Sequence, residues 1–112
     1  MAPEKELLNI YMRARSRFAL ASNSKPSYGA VKIFIIGGRV DGTKSTKVTS
    51  FNIETCEFAE MPEMLNEREN LAAVINCNRL YVIGDHELVE SMDLNADDAK
   101  WEILKGIKLP RL

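Results

Sequence analysis

The amino-acid sequence predicts a mainly β chain with a short helix at its N-terminus. Three observations carry this. From residue 31 onward there are about seven short apolar or alternating runs separated by turn residues. No helical periodicity recurs after Leu20. And one ordered set of strand, glycine and aromatic positions occurs twice.

Taken in order, Glu4 to Leu20 has no internal Gly or Pro and is rich in helix formers. Leu7, Leu8, Tyr11, Ala14 and Phe18 fall at helical spacing, and Pro3 suits a helix start. Residues 1–22 are therefore expected to be a helical segment and 23–30, with Ser24, Pro26 and Ser27, a linker. Val31 to Ile36 is a β-rich run stopped by Gly37-Gly38 and reads as a buried strand. Asp41-Gly42 signals a turn. Strands are then expected at Lys47 to Asn52, Glu57 to Met61, Asn70 to Ile75, Leu80 to Ile83, Leu88 to Asp93 and Lys100 to Leu104. A tight hairpin is expected at Asn76-Cys77-Asn78.

Composition narrows the functional classes. Apolar content of 46% with 28% charged residues is that of a folded chain and argues against disorder. The longest apolar runs are too short to span a bilayer as a helix, so no membrane partner is expected. Residues 1–32 carry six basic and two acidic groups, while the remainder carries nine basic and fourteen acidic ones. An acidic body is a poor partner for nucleic acid. Arg13, Arg15 and Arg17 would point in different directions on a helix and read as a solvated surface. One histidine and two cysteines, scattered along the chain, cannot build a structural zinc site, and no other cofactor or metal is implied. No Ser-His-Asp set, phosphate loop or carboxylate pair stands out, so an enzyme is not expected. Without a secretory signal, free thiols and a cytoplasmic location are the expectation.

The repeat is specific. Ile33-Phe34-Ile35-Ile36-Gly37-Gly38 aligns with Leu80-Tyr81-Val82-Ile83-Gly84-Asp85, forty-seven residues later. Val48 to Asn52 aligns with Val89 to Asp93, Phe58 with Trp101, and Met64 to Arg68 with Ile107 to Arg111. A period in the forties with four strand-like segments is the signature of propeller blades. The order of apolar run, glycine pair, aromatic, second aromatic, Met-Pro and arginine resembles the kelch motif. Its first copy is carried by Gly37-Gly38, Phe51-Asn52, Phe58, Met61-Pro62 and Arg68, and its second by Gly84-Asp85, Met92-Asp93, Trp101 and Pro110-Arg111. The resemblance is strong from 31 to 112 and weak from 4 to 30.

That resemblance implies a partial kelch β-propeller of about two blades, repeats at about 31–66 and 67–112, with antiparallel sheets. The N-terminal segment is similar to the junction in BTB–BACK–kelch proteins, where the end of the BACK domain leads into a first blade lacking its inner strand. Gly37, Gly38, Phe51, Phe58 and Trp101 are then structural residues. Asp85, in the place of a second glycine, needs a backbone adjustment if φ is positive there. In such propellers partner peptides bind at one end, just after the glycine pair and just after the arginine. Those positions here are Arg39, Glu69, Asn70 and His86, with Arg39 suited to a carboxylate. Arg68 is expected to pair with a neighbouring loop or an acidic side chain. The function implied is recognition of a protein or peptide by an adaptor of a cullin-type ubiquitin ligase, with actin binding as the alternative and a non-functional truncated product as a third reading. Copper-oxidase chemistry, also found on kelch propellers, needs more histidines than one. Two blades leave apolar faces open, so self-association is expected.

Overall fold

The computed structural model of the chain describes residues 15–23 and 31–108. All regular structure among them is strand: β1 (Arg15–Ser16), β2 (Ala19–Ser22), β3 (Lys32–Ile36), β4 (Arg39–Val40), β5 (Thr43–Lys44), β6 (Val48–Asn52), β7 (Glu57–Glu60), β8 (Ala72–Asn76), β9 (Arg79–Ile83), β10 (Leu88–Asp93) and β11 (Trp101–Lys108). Two four-stranded antiparallel sheets, ordered β2-β3-β6-β7 and β8-β9-β10-β11, are two successive blades of a partial β-propeller. Their strands follow chain order, as short connections dictate. A small third sheet, β1-β4-β5, is built on the long connection between the second and third strands of the first blade.

The seven strands expected from residue 31 onward all form, within a residue or two at most ends. The hairpin at Asn76 to Arg79 closes through Cys77 and Asn78, both with positive φ of 51° and 60°. Two central residues of that hand match the right-handed twist of the flanking strands. Asp41 and Gly42 do the same between β4 and β5.

The N-terminal expectations need correction. Most of the helix expected from Glu4 to Leu20 lies outside the described residues, but its end is extended: residues 15–16 and 19–22 are strands. The first blade, expected to lack its inner strand, has one. β2 pairs with β3 in the register Ala19↔Ile36 to Ser22↔Ile33. It thereby joins the sheet formed by β3, β6 and β7. The physical reason is that helix propensity, though high for Ala and Leu, is a weak preference that tertiary context overrides. The unpaired N–H and C=O groups along β3 offer a stronger tertiary claim. Just past β2, Asn23 Oδ1 accepts from the Lys32 N–H at 2.6 Å.

The core lies between the blades. Ala19, Phe34, Ile36 and Val48 from the first sheet meet Leu80, Val82, Met92 and Trp101 from the second, with Met64 of the connecting segment between them. Alternation along each strand puts these residues on one face of each sheet. The Trp101 indole N–H donates to the Pro62 carbonyl at 2.8 Å, which ties the outer strand of one blade to the link that leaves the other. On the opposite face of the first blade Phe51 and Phe58 are cross-strand partners with ring centroids 4.8 Å apart.

Candidate functional site

At one end of the blades two kinds of segment converge: the connections from second to third strand, and the links entering each inner strand. Their convergence requires a close backbone approach. Gly38 N–H donates to the Arg68 carbonyl at 2.7 Å, and a Cβ on Gly37 would stand 2.7 Å from that same oxygen. Both glycines have positive φ. Only residues without a side chain fit there. In the second blade Asp85 occupies the corresponding place with φ 59°, a conformation Asp tolerates better than most residues.

Beneath this end each blade holds one buried arginine. Arg68 is fully buried; its Nε and Nη2 donate to Glu90 Oε2 at 3.0 and 2.9 Å, Nη1 to the Gly84 carbonyl at 3.0 Å, and Nη2 also to the Leu88 carbonyl. Glu90 is equally buried and accepts from the Leu65 and Asn66 N–H groups as well. Arg15, 6% exposed, does the same in the first blade: Nη1 donates to Thr49 Oγ1 at 3.1 Å and Nη2 to the Lys47 carbonyl. Thr49 and Lys47 occupy the places of Glu90 and Leu88 in the repeat. Arg15 is therefore an internal strut and not part of a solvated helix face.

Above the struts lies a layer of charged side chains drawn from four segments. Glu69, at the entry to the second blade, lies between Arg17, at the entry to the first, and Arg39, which follows the glycine pair. Its Oε1 is 3.5 Å from Arg17 Nη1, and its Oε2 is paired with Arg39 Nε. Arg39 Nη1 also donates to the Gly42 carbonyl. Asp85 accepts from the Glu69 N–H at 2.9 Å and pairs with Lys44 Nζ at 3.0 Å. Partial burial opposes ionisation of Asp85, but the Glu69 N–H and the Lys44 ammonium outweigh it and hold its carboxyl below the ordinary 3.8.

Of the residues singled out from sequence, Arg39 and Glu69 are thus brought into direct contact with each other, with the Glu69 side chain largely enclosed and that of Arg39 partly open to solvent. Asn70 adopts φ 52° and donates its N–H to the Arg17 carbonyl at 2.8 Å, a structural role that leaves its side chain exposed. The His86 ring turns inward locally, Nδ1 accepting from the Leu88 N–H at 3.2 Å. Sequence reasoning missed Arg17, Lys44 and Asp85 as members of this layer. A signal for Arg17 exists. Arg15-Ser16-Arg17-Phe18-Ala19 repeats Arg68-Glu69-Asn70-Leu71-Ala72 at a distance of fifty-three residues, and Arg17 and Asn70 share the left-handed conformation. Among the described residues no group of three or more His, Cys, Asp or Glu is placed to hold a metal ion.

No family model matches the chain. Over 53 residues it is 40% identical to a putative F-box/kelch-repeat protein of Arabidopsis thaliana, a stretch that is 47% of this chain and 14% of that protein. Over 52 residues it is 35% identical to the kelch repeat protein M-T9 of Myxoma virus (strain Lausanne), which is 46% of this chain and 10% of the viral protein. About half the chain is therefore similar to kelch-repeat proteins, and the similarity spans only a small part of either relative's length.

Proposed function

We propose that the chain is a protein-recognition module, the substrate-binding part of a kelch-like adaptor for a cullin-type ubiquitin ligase, acting in the cytoplasm and without catalysis of its own. The observation that carries this is the charged layer at one end, to which both blades contribute loops with side chains at Arg17, Arg39, Lys44, Glu69 and Asp85. Such a surface offers oriented charge to a partner while the buried arginines hold its loops in place. The similarity to kelch-repeat proteins supports protein partners in general.

The test is capture from extract by the purified chain and by a variant carrying Arg39→Glu and Lys44→Glu. A partner that is captured by the first, lost by the second, and ubiquitinated in a cullin-dependent manner supports the adaptor reading. Cosedimentation with purified actin filaments would replace it with the cytoskeletal one. Capture indifferent to the two charge reversals would refute the placement of the binding surface.

A further inference from the structure

We propose that Arg17 and Arg39 form a carboxylate-binding site whose ligand is the chain's own Glu69, and that Glu69 thereby excludes acidic peptides from this end of the blades. The inference rests on reading this end as a protein-binding surface and deepens it by naming what that surface rejects.

The geometry is that of an occupied site. Two guanidinium groups from separate segments of the first blade close on the two oxygens of one carboxylate from the second. The carboxylate side chain is 12% exposed, while the Arg17 side chain above it is 56% exposed. The cations thus face solvent and the anion is enclosed between them. Arg39 and Glu69 are each held from behind. The Arg39 guanidinium is anchored on the Gly42 carbonyl, and the Glu69 backbone is anchored on Asp85. Asp85 cannot substitute for Glu69 in the clamp, because its own oxygens are engaged by Lys44 and by the Glu69 N–H.

An internal ligand of this kind has a quantitative advantage. A carboxylate tethered in place competes at an effective concentration of roughly millimolar or more. Isolated acidic side chains of a peptide present at micromolar concentration cannot displace it. Loss of the Glu69 charge leaves two cations, one from each of two segments, with no internal anion between them. A guanidinium pair at that spacing is suited to a carboxylate from outside. The competing explanation is that Glu69 merely ties the two blades together. Ion pairs as open to solvent as Arg17 with Glu69 contribute little to stability, so the fold is expected to survive their loss.

The experiment uses the purified chain, its Glu69→Gln and Glu69→Ala variants, and each variant combined with Arg39→Ala. A fluorescein-labelled oligoglutamate is titrated by anisotropy, with oligoglutamine as the uncharged control, and circular dichroism monitors the β-fold. The parent chain is expected to bind oligoglutamate weakly or not at all. Both Glu69 variants should bind it at least about tenfold more tightly, the low end for a hydrogen bond to a charged group. The gain should vanish with Arg39→Ala and at high salt, and oligoglutamine should bind none of them. Equal affinity of the parent and the Glu69 variants would overturn the proposal. So would the absence of binding by folded variants, or loss of the β-fold in both, since Glu69 would then be only a tie between blades. The titration involves no cellular partner, so it can fail while capture from extract succeeds, and the reverse.

Discussion

Arg68 and Glu90 form an ion pair from which solvent is wholly excluded. Replacing Arg68 with Met keeps most of its volume and removes four donated bonds: two to Glu90 Oε2, one to the Gly84 carbonyl and one to the Leu88 carbonyl. What decides the cost is the group left behind. Glu90 would keep the Leu65 N–H at 2.6 Å and the Asn66 N–H at 3.2 Å, but its charge would have no cation beside it in a site with no water access. Breaking a buried pair from one side costs about 3–5 kcal/mol. For a small domain that is a large share of a total of about 5–15 kcal/mol. The double substitution Arg68→Met with Glu90→Leu removes the charge as well. It should recover much of the loss, since replacing a whole buried pair by apolar groups is often close to neutral. Recovery should remain partial, because the Leu65 and Asn66 N–H groups and the Gly84 and Leu88 carbonyls lose partners. Urea denaturation followed by circular dichroism measures all three proteins against the parent. An Arg68→Met midpoint shift worth less than about 1 kcal/mol, the scale of an exposed pair, would refute the reasoning, as would a double variant less stable than the single one.

Arg15→Ala should destabilise by about 1–3 kcal/mol in the same assay, because it removes the bonds that Arg15 donates to Thr49 Oγ1 and to the Lys47 carbonyl. Gly37→Ala should destabilise by about 1–3 kcal/mol, since an alanine there is strained at φ 63° and meets the Arg68 carbonyl; thermal melting checks it. The Asp85 carboxyl titrates below 3.8, so the stability it contributes is complete above that value and is lost as pH falls through the lower folded one. Asp85→Asn should therefore lower the melting temperature at neutral pH and flatten its decline below about pH 4. Val74→Lys with Ile83→Glu should shift sedimentation towards smaller species without loss of the fold, because both residues lie on the sheet face turned away from the first blade and are 55% and 38% exposed.

The strands from residue 31 onward were legible because each local signal agreed with the fold. An apolar run ended at a glycine pair, polar turn residues fell between runs, and the same order came twice. β2 was not legible, because Ala19-Leu20-Ala21 suits a helix at least as well as a strand, and only the open edge of β3 decides between them. β4 and β5 were too short to show a period of their own; the turn at Asp41-Gly42 was their sole trace. At the charged end, sequence treated Arg39 and Glu69 each as facing a partner, whereas the two are paired with one another. That they face each other depends on how the two blades are set side by side, which no spacing along the chain encodes. The buried role of Arg15 was hidden by the flanking Arg13 and Arg17, which made it look like one of a solvated set.

The register explains why two blades of one pattern leave an apolar face uncovered. Ala21 pairs with Phe34 and Ala19 with Ile36 in the first sheet; Val74 pairs with Tyr81 and Ala72 with Ile83 at the same places in the second. In the first blade this face is the core: Phe34 and Ile36 are buried against Leu80, Val82, Met92 and Trp101. Those four residues come from the other face of the second blade, whose counterparts in the first are Ile33, Ile35, Phe51 and Phe58. The contact is thus between unlike faces, so it leaves the corresponding face of the second blade free for the same contact again. A contact between like faces would have satisfied both blades at once and closed. The second blade therefore turns outward the face that the first uses for its core, and Val74 and Ile83 are exposed for the same reason that Ile36 is buried.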